Sequence, residues 1–445
     1  MISFWGMKTD SKSSLLHKML HFGYRSSQNE STWQRVQGAH PMNRLKVGRD
    51  CQARRARYSW LGGSVLPGLW AVSKTERRRK LSSLVVFALI STVLAGCRST
   101  HLPMTDHAEP MVVLHDAPVI QFRGANSPSP DQPSDSDCNS PAHWDGATLY
   151  VFNSAGHPWR SSGPDVNNLT RTYVRCEYDN QVNGGRWIEC TWKADDGVLY
   201  GWYHHEPAGL CPGTHLTAPK IGAVRSTDNG AHWQDLGIVL EAPSGTLNCA
   251  TTNYYFAGGN GDFCIALDSR LQYIYFYIST YTGSLAEQGV SVARMAWADR
   301  DQPVGKVWKW CDGHWTEPGL GGRVTAIFPA RQDWHRSDVD AFWGPSIHWN
   351  HHLNRYVMLL NRAIDRHWRQ EGVYVSYTRD LANPAGWSDP QKILGNLRPD
   401  QWYPSVLGLN AAKKETDKLA GRTARLFVRG RSQWTITFLP SGEEE

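Results

Sequence analysis

Four acidic residues stand where short apolar runs begin or end, positions from which a carboxylate can face a substrate. Asp262 follows the Gly-rich segment Ala257-Gly258-Gly259-Asn260-Gly261 and precedes Phe263–Leu267. Glu206 closes the run Trp202-Tyr203-His204-His205-Glu206-Pro207. Asp340 opens Asp340-Ala341-Phe342-Trp343-Gly344-Pro345-Ser346, and Asp137 opens Asp137-Cys138-Asn139-Ser140-Pro141-Ala142-His143-Trp144-Asp145-Gly146. Hydrolysis of a glycosidic bond needs two such carboxyl groups facing each other across the sugar, one as acid and one as base or nucleophile. Glu206 has the setting of a general acid, because flanking aromatics and histidines dehydrate it and supply an orienting partner. Asp340 is the rival acid. Asp262 would hold sugar hydroxyls or developing charge.

Aromatic faces stack on the C–H surfaces of sugars, so His143, Trp144, His348, Trp402 and Tyr403 are expected around the reacting bond. Asn139, His204 and His205 are expected there as polar contacts. The cluster His348-Trp349-Asn350-His351-His352 fits no zinc spacing, and the nine cysteines include no C-x-x-C pair. No cofactor is expected; a structural calcium would be compatible with the carboxylates, but nothing specifies one.

The elements that must position these groups are strands. Twenty-one Trp, 17 Tyr and 12 Phe suit an all-β protein. From residue 136 onward, β-branched and aromatic runs recur between Gly, Pro, Asn and Asp clusters, with almost no helical periodicity. Five such units, each a small antiparallel sheet, predict a five-bladed β-propeller over 111–445. The segment Met111–Phe122 is expected to complete the last blade and close the ring. An all-β sandwich is the alternative. In a propeller the innermost strands converge on the axis, so carboxylates distant in sequence can meet there.

Two motifs resemble known families. The opening around Asp137 resembles blade one of the five-bladed propeller glycosidases, the invertase and arabinanase families, whose N-D-P-N-G motif carries the nucleophile. Asp137 and Asn139 match its Asp and second Asn, while Cys138 and Ser140 replace the Pro and Gly. The resemblance implies Asp137 as nucleophile or base and Asp262 as the second Asp. It also implies an acidic Glu from a later blade, where this chain has Asp340. The turn Ser226-Thr227-Asp228-Asn229-Gly230-Ala231-His232-Trp233 resembles the Asp box of sialidase-type propellers, a structural hairpin tip rather than a catalytic one. The arginine triad of a sialidase cannot be placed among Arg175, Arg225, Arg323 and Arg429.

Charge and leader bound the remaining possibilities. Residues 1–80 hold 16 basic and 4 acidic side chains, and the other 365 hold 31 and 37. The basicity belongs to the leader, so a nucleic-acid partner is not expected. Arg77-Arg78-Arg79-Lys80, then Leu84–Leu94, then Ala95-Gly96-Cys97 has the order of a secretory signal, too short to span a bilayer. Leu94-Ala95-Gly96-Cys97 resembles a bacterial lipobox, which implies lipidation at Cys97, a membrane anchor and a place in the cell envelope. A plain signal anchor is the alternative. Residues 73–96 would then be the signal and 97–110 a tether. Residues 1–72 would be a mis-started reading frame or an unusual extension.

In the mature part, Cys176–Cys190 and Cys249–Cys264 are expected as candidate disulfides across hairpins. The reading as a whole is a monomeric, exported glycosidase acting on a poly- or oligosaccharide. A non-catalytic carbohydrate-binding propeller or an envelope scaffold is the alternative.

Overall fold

The computed structural model describes residues 109–122, 135–169 and 174–443. The expected signal, Cys97 and the expected tether up to residue 108 lie outside the described residues. Five mainly antiparallel sheets form a five-bladed β-propeller, as expected from the repeats. The innermost strands, blade by blade, are Ala142–Asp145, Gly184–Lys193, Asn260–Leu267, Ala341–Asn350 and Pro404–Gly408.

Burial in the central strands runs on through consecutive residues, because each sheet is covered on both faces by its neighbours. All eight residues of Asn260–Leu267 are buried, and so are seven of eight in Tyr273–Thr280. Large rings fill the wedges between blades, among them Trp202, Phe276 and Tyr277. Replacing Phe276 by Ala would open a cavity costing about 3–5 kcal/mol.

Ring closure uses the N-terminal strand. Met111–Gln121 pairs antiparallel with Arg431–Leu439, Met111 opposite Leu439 and Asp116 opposite Trp434, and becomes the outermost strand of blade V. The last blade is thereby built from both ends of the domain, and the expectation for Met111–Phe122 holds.

At the axis, polar groups bolt neighbouring inner strands together. Asn139 donates to the carbonyls of Phe263 and Pro345, each at 3.1 Å. The Ile265 N–H donates to Cys190 Sγ at 3.2 Å, and the Ile347 N–H donates to Cys264 Sγ at 3.3 Å. Phe263 meets Glu189 and Ile265 meets Cys190, numbers that rise together, so these inner strands run parallel. The channel therefore has one mouth at their N-terminal ends and another at their C-terminal ends.

The turn 226–233 shows why its residues are needed. Ser226 Oγ accepts from the Gly230 N–H at 2.8 Å, Asp228 Oδ1 accepts from the His232 N–H at 3.0 Å, and Trp233 is buried beneath. Asn229 and Gly230 both take positive φ. The disulfide expectation is corrected. Cys211 pairs with Cys249, whereas Cys176, Cys190 and Cys264 are free and buried. Cys190 and Cys264 both face Lys418 at the axis, which keeps each from the hairpin partner its sequence position suggested.

Candidate active site

The N-terminal mouth gathers three of the four carboxylates picked out in the sequence. Asp262 sits near the start of blade III's inner strand, at the irregularity between Gly261 and Cys264, with φ +38. A left-handed backbone at a non-Gly residue is held against its own preference by surrounding contacts. Those contacts are Tyr281, whose hydroxyl donates to Oδ2, and Tyr403, whose hydroxyl donates to Oδ1 at 3.1 Å.

The Asp262 N–H donates to His204 Nδ1 at 3.0 Å, and His204 Nε2 meets Glu206 Oε1 at 3.1 Å. With Nδ1 accepting, the neutral ring carries its proton on Nε2 and donates it to Glu206. Gly261 makes room for this imidazole, since a Cβ there would fall 2.5 Å from His204 Cε1. Burial alone would lower the His204 pKa. The bond to Glu206 and the charges of Asp262 and Glu189 outweigh it and raise the value to about 9. Glu189 Oε1 lies 3.6 Å from His204 Nδ1, a second carboxylate beside the ring.

Asp137, just before blade I's inner strand, is partly buried and feels both Glu206 and Asp262. Burial and those two charges, opposed by Arg429 and His204, push its pKa up to about 7. No donor among the described residues reaches its carboxylate. Burial also raises Asp262, against the pull of His204 and the two tyrosines. Arg429 is anchored elsewhere, with Nη1 on Asp400 Oδ2 at 2.5 Å.

Aromatic rings surround these groups. Trp402 and Tyr403 belong to a buried cluster with Phe256, Tyr281, Trp343 and Trp368, and Tyr255 packs at its edge. The charge of Asp137 contributes to raising the Tyr255 pKa to about 12, behind burial.

Several sequence expectations are corrected. Glu206, expected as the acid at the end of an innermost strand, lies on the second strand of blade II, Leu199–Pro207, outside Gly184–Lys193. Asp340 does not join the site: its two oxygens take Arg362 Nε and Nη2, both at 2.8 Å. Blade IV presents Trp343 instead. His143, Trp144 and His348 line the opposite, C-terminal mouth. Asn139 spends its amide N–H groups on the bolts described above, and His205 Nδ1 is bonded to the Gly185 carbonyl at 3.0 Å. Of the expected substrate contacts, His204, Trp402 and Tyr403 remain beside the carboxylates.

Glu189 was missed. It lies mid-strand in Gly184–Lys193, 1% exposed, and its Oε2 accepts from the Phe263 N–H at 2.7 Å. Burial raises its pKa well above the usual carboxylate range. The alternation in Trp187-Ile188-Glu189-Cys190-Thr191-Trp192 was the available signal for this strand, and reading it would have moved Glu206 outward by one. Glu189, His204 and Asp262 offer ligand atoms within 4.8 Å of one another, the grouping a metal ion would need. Their atoms are largely committed to the bonds above, which hold the cluster together without an ion.

No protein-family model matches the chain, and no curated protein matches it in sequence. Solved propeller structures resemble it. An arabinanase of Bacillus subtilis is 12% identical with a TM-score of 0.38, over 68% of this chain and 96% of that one. An α-L-arabinanase of Cellvibrio cellulosa is 12% identical with a TM-score of 0.40, over 68% and 91%. The catalytic domain of an α-L-arabinofuranosidase of Coprinopsis cinerea is 10% identical with a TM-score of 0.41, over 72% and 95%.

Proposed function

We propose that the protein is a glycoside hydrolase whose reaction is carried by Asp137 and Glu206, with Asp262 and His204 as positioning groups. The observation that carries this reading is the meeting of Asp137, Glu206 and Asp262 around one imidazole, inside a wall of aromatic rings, at one end of the axis. Glycosidic cleavage needs a protonated and an ionised carboxyl in one site, and unlike environments supply them.

The environments support the reverse of the roles expected from the sequence. No donor among the described residues reaches the Asp137 carboxylate, and burial with the charges of Glu206 and Asp262, opposed by Arg429 and His204, keeps its proton on up to about pH 7. It is the acid that protonates the leaving oxygen. Glu206 accepts from His204 Nε2, which holds its carboxylate in place, and it attacks the anomeric carbon or activates water. Asp262, fixed by two tyrosine hydroxyls, holds sugar hydroxyls and keeps the Glu206–His204 pair aligned.

The resemblance to arabinanases favours furanosides or plant-type polysaccharides as substrates. The leader supports export and lipid anchoring at Cys97.

The test uses aryl glycosides whose dinitrophenolate departs without protonation, beside oligosaccharides that need an acid. Asp137→Asn keeps turnover of the activated glycosides and loses about 10²–10⁴-fold on the oligosaccharides. Glu206→Gln loses both. The opposite pattern returns Asp137 to the role of nucleophile or base, and no release from any glycoside by the unaltered protein removes the enzyme reading.

A further inference from the structure

Three loops meet beyond the aromatic wall of the candidate active site. Residues 208–219 follow Glu206, residues 241–259 lead into the strand of Asp262, and residues 364–369 join the second and third strands of blade IV. Each contributes one exposed ring: His215, Tyr254 and His367. The Tyr254 ring lies 4.8 Å from that of His215 and 4.9 Å from that of His367, centroid to centroid. Tyr254 remains 42% exposed between them.

The backbone beneath this row is fixed. The Tyr254 N–H donates to the Arg366 carbonyl at 3.1 Å, and His215 Nε2 donates to the Tyr254 carbonyl at 2.5 Å. Asn253 Oδ1 accepts from the N–H groups of Tyr255 and Phe256, at 2.8 and 3.1 Å. The Cys211–Cys249 bridge ties the first loop to the second. A surface ordered before binding loses little freedom when a ligand settles on it.

The row also runs into the site. Tyr255 packs edge-on against Tyr254, with centroids 5.1 Å apart, and edge-on against Trp402 at 5.8 Å. Asp137 is the strongest of the charges acting on Tyr255. The rings therefore lead outward from the Asp137 side of the mouth.

We propose that His215, Tyr254 and His367 form a subsite for sugar units on the leaving-group side of the cleaved bond, so that the substrate is a chain rather than a single glycoside. This rests on Asp137 as the acid of a glycosidase, because that assignment puts the departing half of the substrate beside Tyr255. Continuity names the occupant. The units next to the departing oxygen are covalently attached to it, and the ring row carries them outward past Tyr255 onto Tyr254. Rings with polar tips suit a sugar, whose C–H faces stack while its hydroxyls bond to a phenol and imidazoles.

The experiment measures kcat/KM of the full chain on arabino-, xylo- and galacto-oligosaccharides of two to six units, beside aryl glycosides of the same sugars. Values should rise with chain length in the unaltered protein. Tyr254→Ala is expected to lose about tenfold on the longer chains. It should lose nothing on the aryl glycosides, whose single leaving ring ends at Tyr255. Tyr254→Phe keeps the ring and should retain most of the gain, while His367→Ala should lose several-fold. A rate independent of length, or a gain with length that Tyr254→Ala leaves intact, overturns the subsite while the catalytic reading stands. If no glycoside is cleaved, the catalytic reading fails, and calorimetric titration with the same hexasaccharides decides the subsite alone. Binding weakened by Tyr254→Ala keeps the row as a sugar site, and absent or unaffected binding overturns it.

Discussion

The backbone N–H of Asp262 donates to Nδ1 of His204 at 3.0 Å, and this bond joins blade III to blade II at the reacting end of the channel. It fixes the imidazole so that Nε2 points at Glu206, a residue 56 positions earlier in the chain. The geometry of the site therefore depends on a main-chain group as well as on side chains. His204→Asn is expected to lower kcat about 10- to 100-fold, with a smaller change in KM. Steady-state kinetics on an aryl glycoside separates the two.

The pH profile follows from Asp137. An acid with a pKa of about 7 is active while protonated, so kcat/KM should decline tenfold per pH unit above roughly pH 7. Replacement of Arg429 by Met removes a charge that lowers the Asp137 pKa, and should move that limb to higher pH. Rates measured from pH 4 to pH 9 check both statements; a limb unmoved in Arg429→Met contradicts the assigned charge.

The same shift has a cost in stability. The Asp137 carboxyl has a folded pKa raised from 3.8 to about 7, so between those values the folded state holds a proton that the unfolded state has released. Stability is then lost as pH rises through that window and is lowest, for this group, above pH 7. Asp137→Asn should melt higher than the unaltered protein at pH 8, with a smaller difference at pH 4.5. Scanning calorimetry at the two values decides it.

Two tyrosines hold Asp262. Tyr403→Phe removes a hydroxyl that donates to Oδ1, and Tyr281→Phe removes the donor to Oδ2. Hydrogen bonds to an ionised group contribute about 1.5–3 kcal/mol. Each single variant should lose roughly tenfold in kcat/KM, and the pair should be non-additive because both act through one carboxylate. A double-mutant cycle on kcat/KM measures the coupling.

The Cys211–Cys249 bridge spans 38 residues and ties the segment after Glu206 to the loop before Gly258. A closed loop of that size contributes about 4 kcal/mol in the chain-entropy account. Cys211→Ser with Cys249→Ser should lower Tm by several degrees, and reductant should lower the unaltered protein to the same value.

Much of the propeller was legible along the chain because blade packing covers both sheet faces, and continuous apolar runs between turn residues record that directly. Met111–Gln121 could be assigned to the last blade because its composition is that of a strand and a propeller ring needs closing. The innermost strand of blade II escaped notice: its Glu and Lys interrupt the apolar run, and only the fold shows that Glu189 is buried at the axis, accepting from the Phe263 N–H.

Local sequence determined which segments pair as blades and which acidic residues open them, since both follow from side-chain size and turn chemistry over a few neighbours. The tertiary structure decided which of those residues meet. Ring closure sets the rotation of each blade about the axis. That rotation brings Asp137, Glu206 and Asp262 together, turns Asp340 toward Arg362, and leaves His143, Trp144 and His348 at the far mouth. Roles depend on it as well. A carboxyl's proton affinity is set by burial and by charges that arrive from other blades, and no spacing along the chain encodes those distances.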